Sequence, residues 1–157
     1  MAKFIIHGGK PLSGEIACCG AKNEALKLIP AVLLMDGNVE INNLPAIEDV
    51  ERATELFKYL GGTVEEKGDK TCSFNAEGVK EYRLSSDLVN KFRASIMFVG
   101  PLLAKFGKAE FPHPGGCVIG AGSRPIDMFL DGYQKFGAKV HYDDGHYIIS
   151  APNGIQG

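Results

Sequence analysis

The sequence predicts a mixed α/β fold in which one αβαββ unit occurs twice. Three observations carry that prediction. Apolar residues recur at helical spacing in some stretches and in short alternating runs in others, so helices and strands are both expected. The order of these stretches in the second half of the chain repeats the order in the first. Finally, Leu60-Gly61-Gly62-Thr63-Val64 aligns with Phe136-Gly137-Ala138-Lys139-Val140, and Val39-Glu40 with Ala109-Glu110.

The elements follow in order. Residues 3–7 alternate weakly and read as a short strand ended by Gly8-Gly9, and residues 14–19 as a second strand closed by Gly20. From 22 to 35, Ala25, Leu26, Ile29, Val32 and Leu33 fall at helical spacing. Pro30 inside that pattern predicts a kink or a late start, and Asp36-Gly37 ends it. Residues 39–41 read as a strand and Asn42-Asn43-Leu44-Pro45 as a loop. A helix carrying Val50, Ala53, Leu56, Phe57 and Leu60 is capped by Gly61-Gly62. Strands at 63–66 and 71–74 flank a turn through Gly68-Asp69.

In the second half, one helix from 87 to 106 is expected to bury Leu88, Phe92, Ile96, Val99 and Leu103. A strand at 108–111, a loop at 112–123 and a helix at 126–136 come next. Strands at 139–142 and 147–150 around Asp144-Gly145 complete the repeat. The offset between copies is 70 at the strand (109 − 39) and 76 at the helix end (136 − 60). The six additional residues fall in the loop 112–123, and an enlarged glycine-rich loop on a repeated scaffold is where function concentrates.

Composition narrows the function classes. With 157 residues, 45% of them hydrophobic and 23% charged, the chain suits a globular domain rather than disorder. Twenty glycines exceed the roughly 11 expected at average usage, which predicts many turns or close backbone approaches. The net charge of −2 argues against a nucleic-acid partner. No apolar run approaches the roughly 18 residues that span a bilayer, so no membrane partner is expected. The apolar stretch near the start is too short for a signal peptide, and the four cysteines include an adjacent pair but no C-x-x-C. Reduced thiols and a cytoplasmic location are the reading. Cys18, Cys19 and Cys72 lie in predicted strands and are expected in the core.

The enlarged loop holds the first candidate for chemistry. Pro114-Gly115-Gly116-Cys117 and Ser123-Arg124-Pro125-Ile126-Asp127 place one thiol and one guanidinium around a helix start. A nearby cation and a helix N-terminus lower a thiol pKa, which fits a proton donor, and free N–H groups there suit an anion. A structural cysteine in a tight turn is an equal alternative. Lys22, in Gly20-Ala21-Lys22-Asn23, stands where a strand end meets a helix and suits phosphate or carboxylate, or is simply solvated. Arg93 adjoins the buried stripe and reads as a boundary arginine.

Metal chemistry is not expected. His113 and Cys117 would need a helix that their prolines and glycines forbid, and His141 and His146 flank a turn with no further ligand nearby. Glu65-Glu66-Lys67 and Asp143-Asp144 read as solvated hairpin tips. No phosphate-loop or dinucleotide fingerprint is present, so no cofactor is predicted.

Taken together, Gly20-Ala21-Lys22-Asn23, Arg93-Ala94-Ser95-Ile96 and the segment from Pro114-Gly115-Gly116-Cys117 to Ser123-Arg124-Pro125-Ile126-Asp127 closely resemble the UDP-N-acetylglucosamine 1-carboxyvinyltransferases. The resemblance covers the whole chain and the N-terminal part of that family's longer polypeptide. It implies an inside-out α/β barrel domain of the enolpyruvyl transferase type, built from repeated βαβαββ units, of which about two are present here. It also implies a division into N-terminal strands at 1–20, the first belonging to another domain, and a partial domain at 21–157 carrying the cysteine loop.

The implied reaction transfers the enolpyruvyl group of phosphoenolpyruvate to the 3-hydroxyl of UDP-N-acetylglucosamine and releases phosphate, the first committed step of peptidoglycan synthesis. By resemblance Cys117 is the general acid, open to alkylation by the epoxide fosfomycin. Lys22, Asn23 and Arg124 would hold phosphoenolpyruvate. Asn23, Arg93, Arg124, Pro125, Ile126, Asp127 and Met128 would contact the UDP-sugar. The added Ala121-Gly122 makes the spacing between Cys117 and Arg124 longer than the family's.

The expected partners are those two small molecules and the C-terminal remainder of the enzyme. Two alternative functions fit the same residues: an inactive sugar-nucleotide-binding module and, less well, a relative of the 3-phosphoshikimate 1-carboxyvinyltransferases. The latter family lacks the Gly-Gly-Cys loop.

Overall fold

A computed structural model describes residues 3–90, 92–115 and 126–156. Helix α1 (Lys22–Ala31) forms where the predicted 3.6-residue spacing begins. Pro30 falls in its last turn, and the chain tightens into a 3₁₀ turn at Val32–Leu34 rather than kinking. Strand β1 (Asn38–Ile41), helix α2 (Glu48–Tyr59) and strands β2 (Thr63–Gly68) and β3 (Thr71–Asn75) complete the first unit. Three acidic residues in the first turn of α2 and Lys58 in its last complement the helix dipole.

The second unit holds α3 (Ser86–Val89), a 3₁₀ segment (Arg93–Phe98), α4 (Val99–Phe106), β4 (Lys108–Pro112), α5 (Asp127–Lys135), β5 (Lys139–Asp143) and β6 (His146–Ser150). Gly107, at φ 68°, ends α4 with its N–H bonded to the Leu103 carbonyl at 2.8 Å.

The duplication is real in three dimensions. Each unit builds a three-stranded antiparallel sheet with its last strand in the middle, in the orders β1-β3-β2 and β4-β6-β5. Val39 and Val64 both lie opposite Phe74, and Ala109 and Val140 both lie opposite Ile149. The offsets between equivalents are therefore 70, 76 and 75 (109 − 39, 140 − 64, 149 − 74). The single-residue step from 76 to 75 is a β-bulge at Lys67, between Glu66 and Gly68, which the second hairpin lacks.

The fold agrees with the expected α/β class. The described residues make two repeat units, and closure into a barrel is not visible in them. Beside β4, Leu84 donates to the Glu110 carbonyl and Glu110 to the Tyr82 carbonyl, at 2.8 and 3.1 Å. This parallel bridge is a rudimentary leading strand for the second unit.

Three expectations need correction. Residues 3–7 and 14–19 form no strand; Phe4, Ile6, Leu12 and Ile16 are more than four-fifths exposed. A strand needs partners for its N–H and C=O groups, and residues 3–20 find none among the described residues. Cys18 and Cys19 are accordingly exposed rather than in the core, and Cys72 on β3 is half-buried. The single helix at 87–106 is broken before Arg93, because Phe92 is extended (φ −151°, ψ 139°). The buried Ser95 hydroxyl donates to the Phe92 carbonyl at 2.9 Å, satisfying a group that the break leaves open. Periodicity missed the break because Phe92, Ile96, Val99 and Leu103 still point inward.

The core is one cluster running through both units. Helix α2 packs on β2, α1 and the second 3₁₀ segment, while α4 packs on β4 and both 3₁₀ segments. Phe57 sits fully buried at its centre, edge-on to Phe74 with ring centroids 5.4 Å apart. A side chain at Gly62 would run into the Phe57 ring. Replacing Phe57 by Ala should therefore lower stability by about 3–5 kcal/mol, read as a shift of the urea midpoint. An unchanged midpoint would show that this ring is not central.

Candidate functional site

The Lys22 position is set by a backbone contact. A Cβ on Gly20 would collide with the Asn43 carbonyl, so glycine lets the chain lie against the loop after β1. Ala21 then turns from extended backbone into α1, and its carbonyl accepts from the N–H groups of Glu24 and Ala25 at 3.2 and 3.1 Å. Lys22 is the first helical residue, and both it and Asn23 are exposed. Beside them lies a cavity of about 120 Å³ lined by Gly20, Ala21, Glu24, Asn42, Asn43 and Pro45, among others.

The Lys22 ammonium is not left to solvent. Its Nζ donates to Asp49 Oδ2 at 2.8 Å, in the first turn of α2, with the two side chains 50% and 40% exposed. Sequence reasoning did not single out Asp49. Its one signal, an acidic first turn with Glu48 and Glu51, reads as ordinary helix chemistry, and 27 residues separate it from Lys22. Lys27 Nζ donates to the Asn23 carbonyl at 3.1 Å.

Arg93 opens the second 3₁₀ segment and is half-buried. That segment packs against α1, so the elements carrying Lys22 and Arg93 are neighbours. The base of the cysteine loop reaches the same region. Gly115 N–H donates to the Val89 carbonyl at 3.2 Å, and a Cβ there would collide with the Asn90 carbonyl. Gly115 thus abuts Asn90, three residues before Arg93 (93 − 90).

On the far side of the loop, buried Ile126 caps α5, its carbonyl accepting from Phe129 and Leu130 at 2.9 and 3.2 Å. Asp127 and Met128 are exposed at the start of that helix. Cys117, Arg124 and Pro125 lie outside the described residues. Among the described residues the structure brings the Lys22 helix, the Arg93 segment and the Gly115 loop base together.

Known proteins resemble this chain in sequence and in fold. The profile of the family described as EPSP synthase (3-phosphoshikimate 1-carboxyvinyltransferase) matches residues 6–156. The chain belongs to this enolpyruvyl transferase family. Among curated relatives, the UDP-N-acetylglucosamine 1-carboxyvinyltransferase of Gluconobacter oxydans is 43% identical over 157 residues, all of this chain and 37% of its own length. Its namesake from Thermodesulfovibrio yellowstonii is 42% identical over 151 residues, 96% of this chain and 35% of its own. The chain therefore spans about a third of the length of these relatives.

Among solved structures, the enolpyruvyl transferase NikO from Streptomyces tendae superimposes with a TM-score of 0.75 at 26% identity, over 94% of this chain and 32% of that one. EPSP synthase from Acinetobacter baumannii shares the fold, with a TM-score of 0.62 at 15% identity over 87% of this chain and 32% of its own.

Two predictions follow for this member of the enolpyruvyl transferases. The half-exposed Lys22–Asp49 pair contributes under about 1 kcal/mol, so Asp49→Asn should leave the unfolding midpoint nearly unchanged. With lysines carrying ¹³C-methyl labels, the same change should move the Lys22 resonance to the position of solvated lysines. A resonance that stays put would dismiss the pair. For Cys72, burial and then the Glu66 charge push the thiol above its ordinary range, against a smaller opposing effect of Lys58. Its alkylation rate should rise with pH to a midpoint above that of a free cysteine. A midpoint at or below the free value would contradict the burial seen here.

Proposed function

We propose that this chain forms one wall of an enolpyruvyl transfer site, in which phosphoenolpyruvate donates its enolpyruvyl group to the 3-hydroxyl of UDP-N-acetylglucosamine. The observation that carries the proposal is identity above 40% along essentially the whole chain to relatives named UDP-N-acetylglucosamine 1-carboxyvinyltransferase. The same names favour the UDP-sugar over shikimate 3-phosphate as acceptor, since the solved EPSP synthase matches at only 15%. In this reading the protein serves peptidoglycan synthesis in the cytoplasm.

The chemistry assigns roles to residues. The sugar oxygen adds to carbon 2 of phosphoenolpyruvate while a proton reaches the methylene carbon; phosphate then leaves and a proton is lost. Cys117 is the proton donor, and Lys22 and Arg124 supply the cations that hold the phosphate and carboxylate, with Asn23 beside them. Asn23, Arg93 and the run Arg124-Pro125-Ile126-Asp127-Met128 hold the nucleotide sugar. The start of α1 suits this role because it carries an ammonium and a helix N-terminus close in sequence to Ala21, which lines the cavity. Completing the site requires a second wall, which the remaining two-thirds of the relatives' length would supply.

A sugar-nucleotide-binding module without chemistry is the competing function, and one experiment separates the two. A protein joining this chain to such a second wall should release phosphate from phosphoenolpyruvate only when UDP-N-acetylglucosamine is present, and Cys117→Ala should abolish the release. Fosfomycin should add one mass increment to the chain, lost in Cys117→Ser. Sugar-dependent protection or acceleration of labelling without any phosphate release would favour the module. Activity that survives Cys117→Ala would remove the thiol from the acid role.

A further inference from the structure

His146 finds a partner that its place beside the Asp144-Gly145 turn does not foretell. Its Nε2 lies 3.2 Å from the Ser86 hydroxyl, 60 residues earlier in the chain, and its Nδ1 lies 3.1 Å from the Asp144 carbonyl. Both residues are half-buried. The two contacts together fix the ring. A carbonyl oxygen only accepts, so Nδ1 carries the proton of the neutral imidazole, and Nε2 is left to accept from the Ser86 hydroxyl.

The place of this contact gives it a use. His146 lies opposite Pro112, the last residue of β4. Pro112 has no N–H to give to a neighbouring strand, which weakens the end of β4. On the other edge of β4, the bridge through Glu110 leads the chain from Leu84 into α3. The imidazole therefore joins β6 to α3 across the end of the strand from which the cysteine loop departs.

Helix α3 needs such a tie. It is a single turn of four residues, closed by bonds from the Val89 and Asn90 N–H groups to the Ser85 and Ser86 carbonyls at 2.9 and 3.0 Å. One turn is not stable by itself. Buried Leu84 and Val89 anchor it in the core, and the Ser86 hydroxyl ties it to the sheet. The same turn receives the loop, because the Val89 carbonyl accepts from the Gly115 N–H and the Asn90 backbone lies against Gly115. Pro112 and Gly115, the two ends of the described loop root, are thus held by the elements that the imidazole joins.

We infer that Ser86 and His146 are positioning residues for the cysteine loop. The pair clasps α3 to β6 and so fixes where the loop departs at Gly115. It acts through the loop and not on the reacting atoms. The inference rests on the transfer function proposed above for what the loop delivers, but not for how its root is held. Arg83, three residues before Ser86 (86 − 83), keeps its own ion pair with Glu110 at 3.1 Å, so opening the clasp loosens α3 without releasing the segment.

The test compares the parent with Ser86→Ala, which removes one hydroxyl, and Ser86→Thr, which keeps it. Loss of one neutral hydrogen bond should raise the exchange rate of the Gly115 amide about fivefold. The amides of the central strands β3 and β6 should exchange as before, and Ser86→Thr should restore the parent rate. Two-bond ¹H–¹⁵N spectra in alkaline buffer should show His146 protonated at Nδ1. In the protein joined to its second wall, Ser86→Ala should lower kcat for phosphate release by about fivefold, because a displaced loop weakens the chemical step. The KM for phosphoenolpyruvate, whose lysine stands on α1, should not move. His146 protonated at Nε2, or a Gly115 amide that exchanges as in the parent, overturns the inference. A rise shared equally by β3 and β6 does the same, as does an unchanged kcat in an active joined protein. A joined parent that releases no phosphate counts against the transfer function instead, and exchange at Gly115 still decides the clasp.

Discussion

The structure depends on one shared core. Neither αβαββ unit buries its helices alone: α2 of the first unit is covered by α1 and by the 3₁₀ segment of the second, and α4 of the second reaches back to the 3₁₀ turn after α1. Lys105 marks that seam. From the last turn of α4 its ammonium donates to the Leu33 carbonyl at 3.1 Å, and the Ala76 carbonyl lies at 3.5 Å. The first contact satisfies a carbonyl in the 3₁₀ turn, where no further helical N–H arrives, and the second reaches the carbonyl just after β3. One cation thus joins both units where their helices meet.

Two close backbone approaches carry the core's order out to the candidate site. Gly20 against Asn43 sets where α1 begins and so where Lys22 stands. Gly115 against Asn90 sets where the cysteine loop departs, beside the segment that Arg93 opens. Neither contact has room for a methyl group, and neither glycine needs a left-handed conformation. Their role is proximity rather than turning. The glycine excess in the composition is in this respect a record of backbones packed against each other as well as of turns.

Much of this was legible from residues alone, for a physical reason. The strands, α2 and α5 each carry an apolar pattern of regular period, so periodicity and the Gly61-Gly62 and Gly137 signals located them, and the offsets of 70 and 76 survive as paired positions in the two sheets. What was not legible depends on contacts distant in sequence. The segment 3–20 has strand-like alternation, but a strand exists only with a partner, and sequence spacing does not report one. The break at Phe92 preserves the inward direction of its neighbours and so hides in the pattern. Asp49 became part of the candidate site only because folding brings the first turns of α1 and α2 within 2.8 Å through their side chains.

The two outer helices show how far the repeat governs stability. α2 has four buried residues, whereas α5, its counterpart, has none: Phe129, Leu130 and Tyr133 are half-covered, and Met128 and the capping Phe136 are exposed. The sequences are not the cause, since both helices carry an apolar face of similar strength. The difference is positional. Among the described residues α2 has the 3₁₀ segment of the second unit against it, while α5 makes its main contact with β5 and brings Tyr133 beside Gly100 of α4. Local stability should therefore fall from the first unit towards α5, the helix whose first turn carries Asp127 and Met128. The acceptor side of the proposed site thus rests on the least buried helix of the pair, and the Lys22 side is anchored in the core.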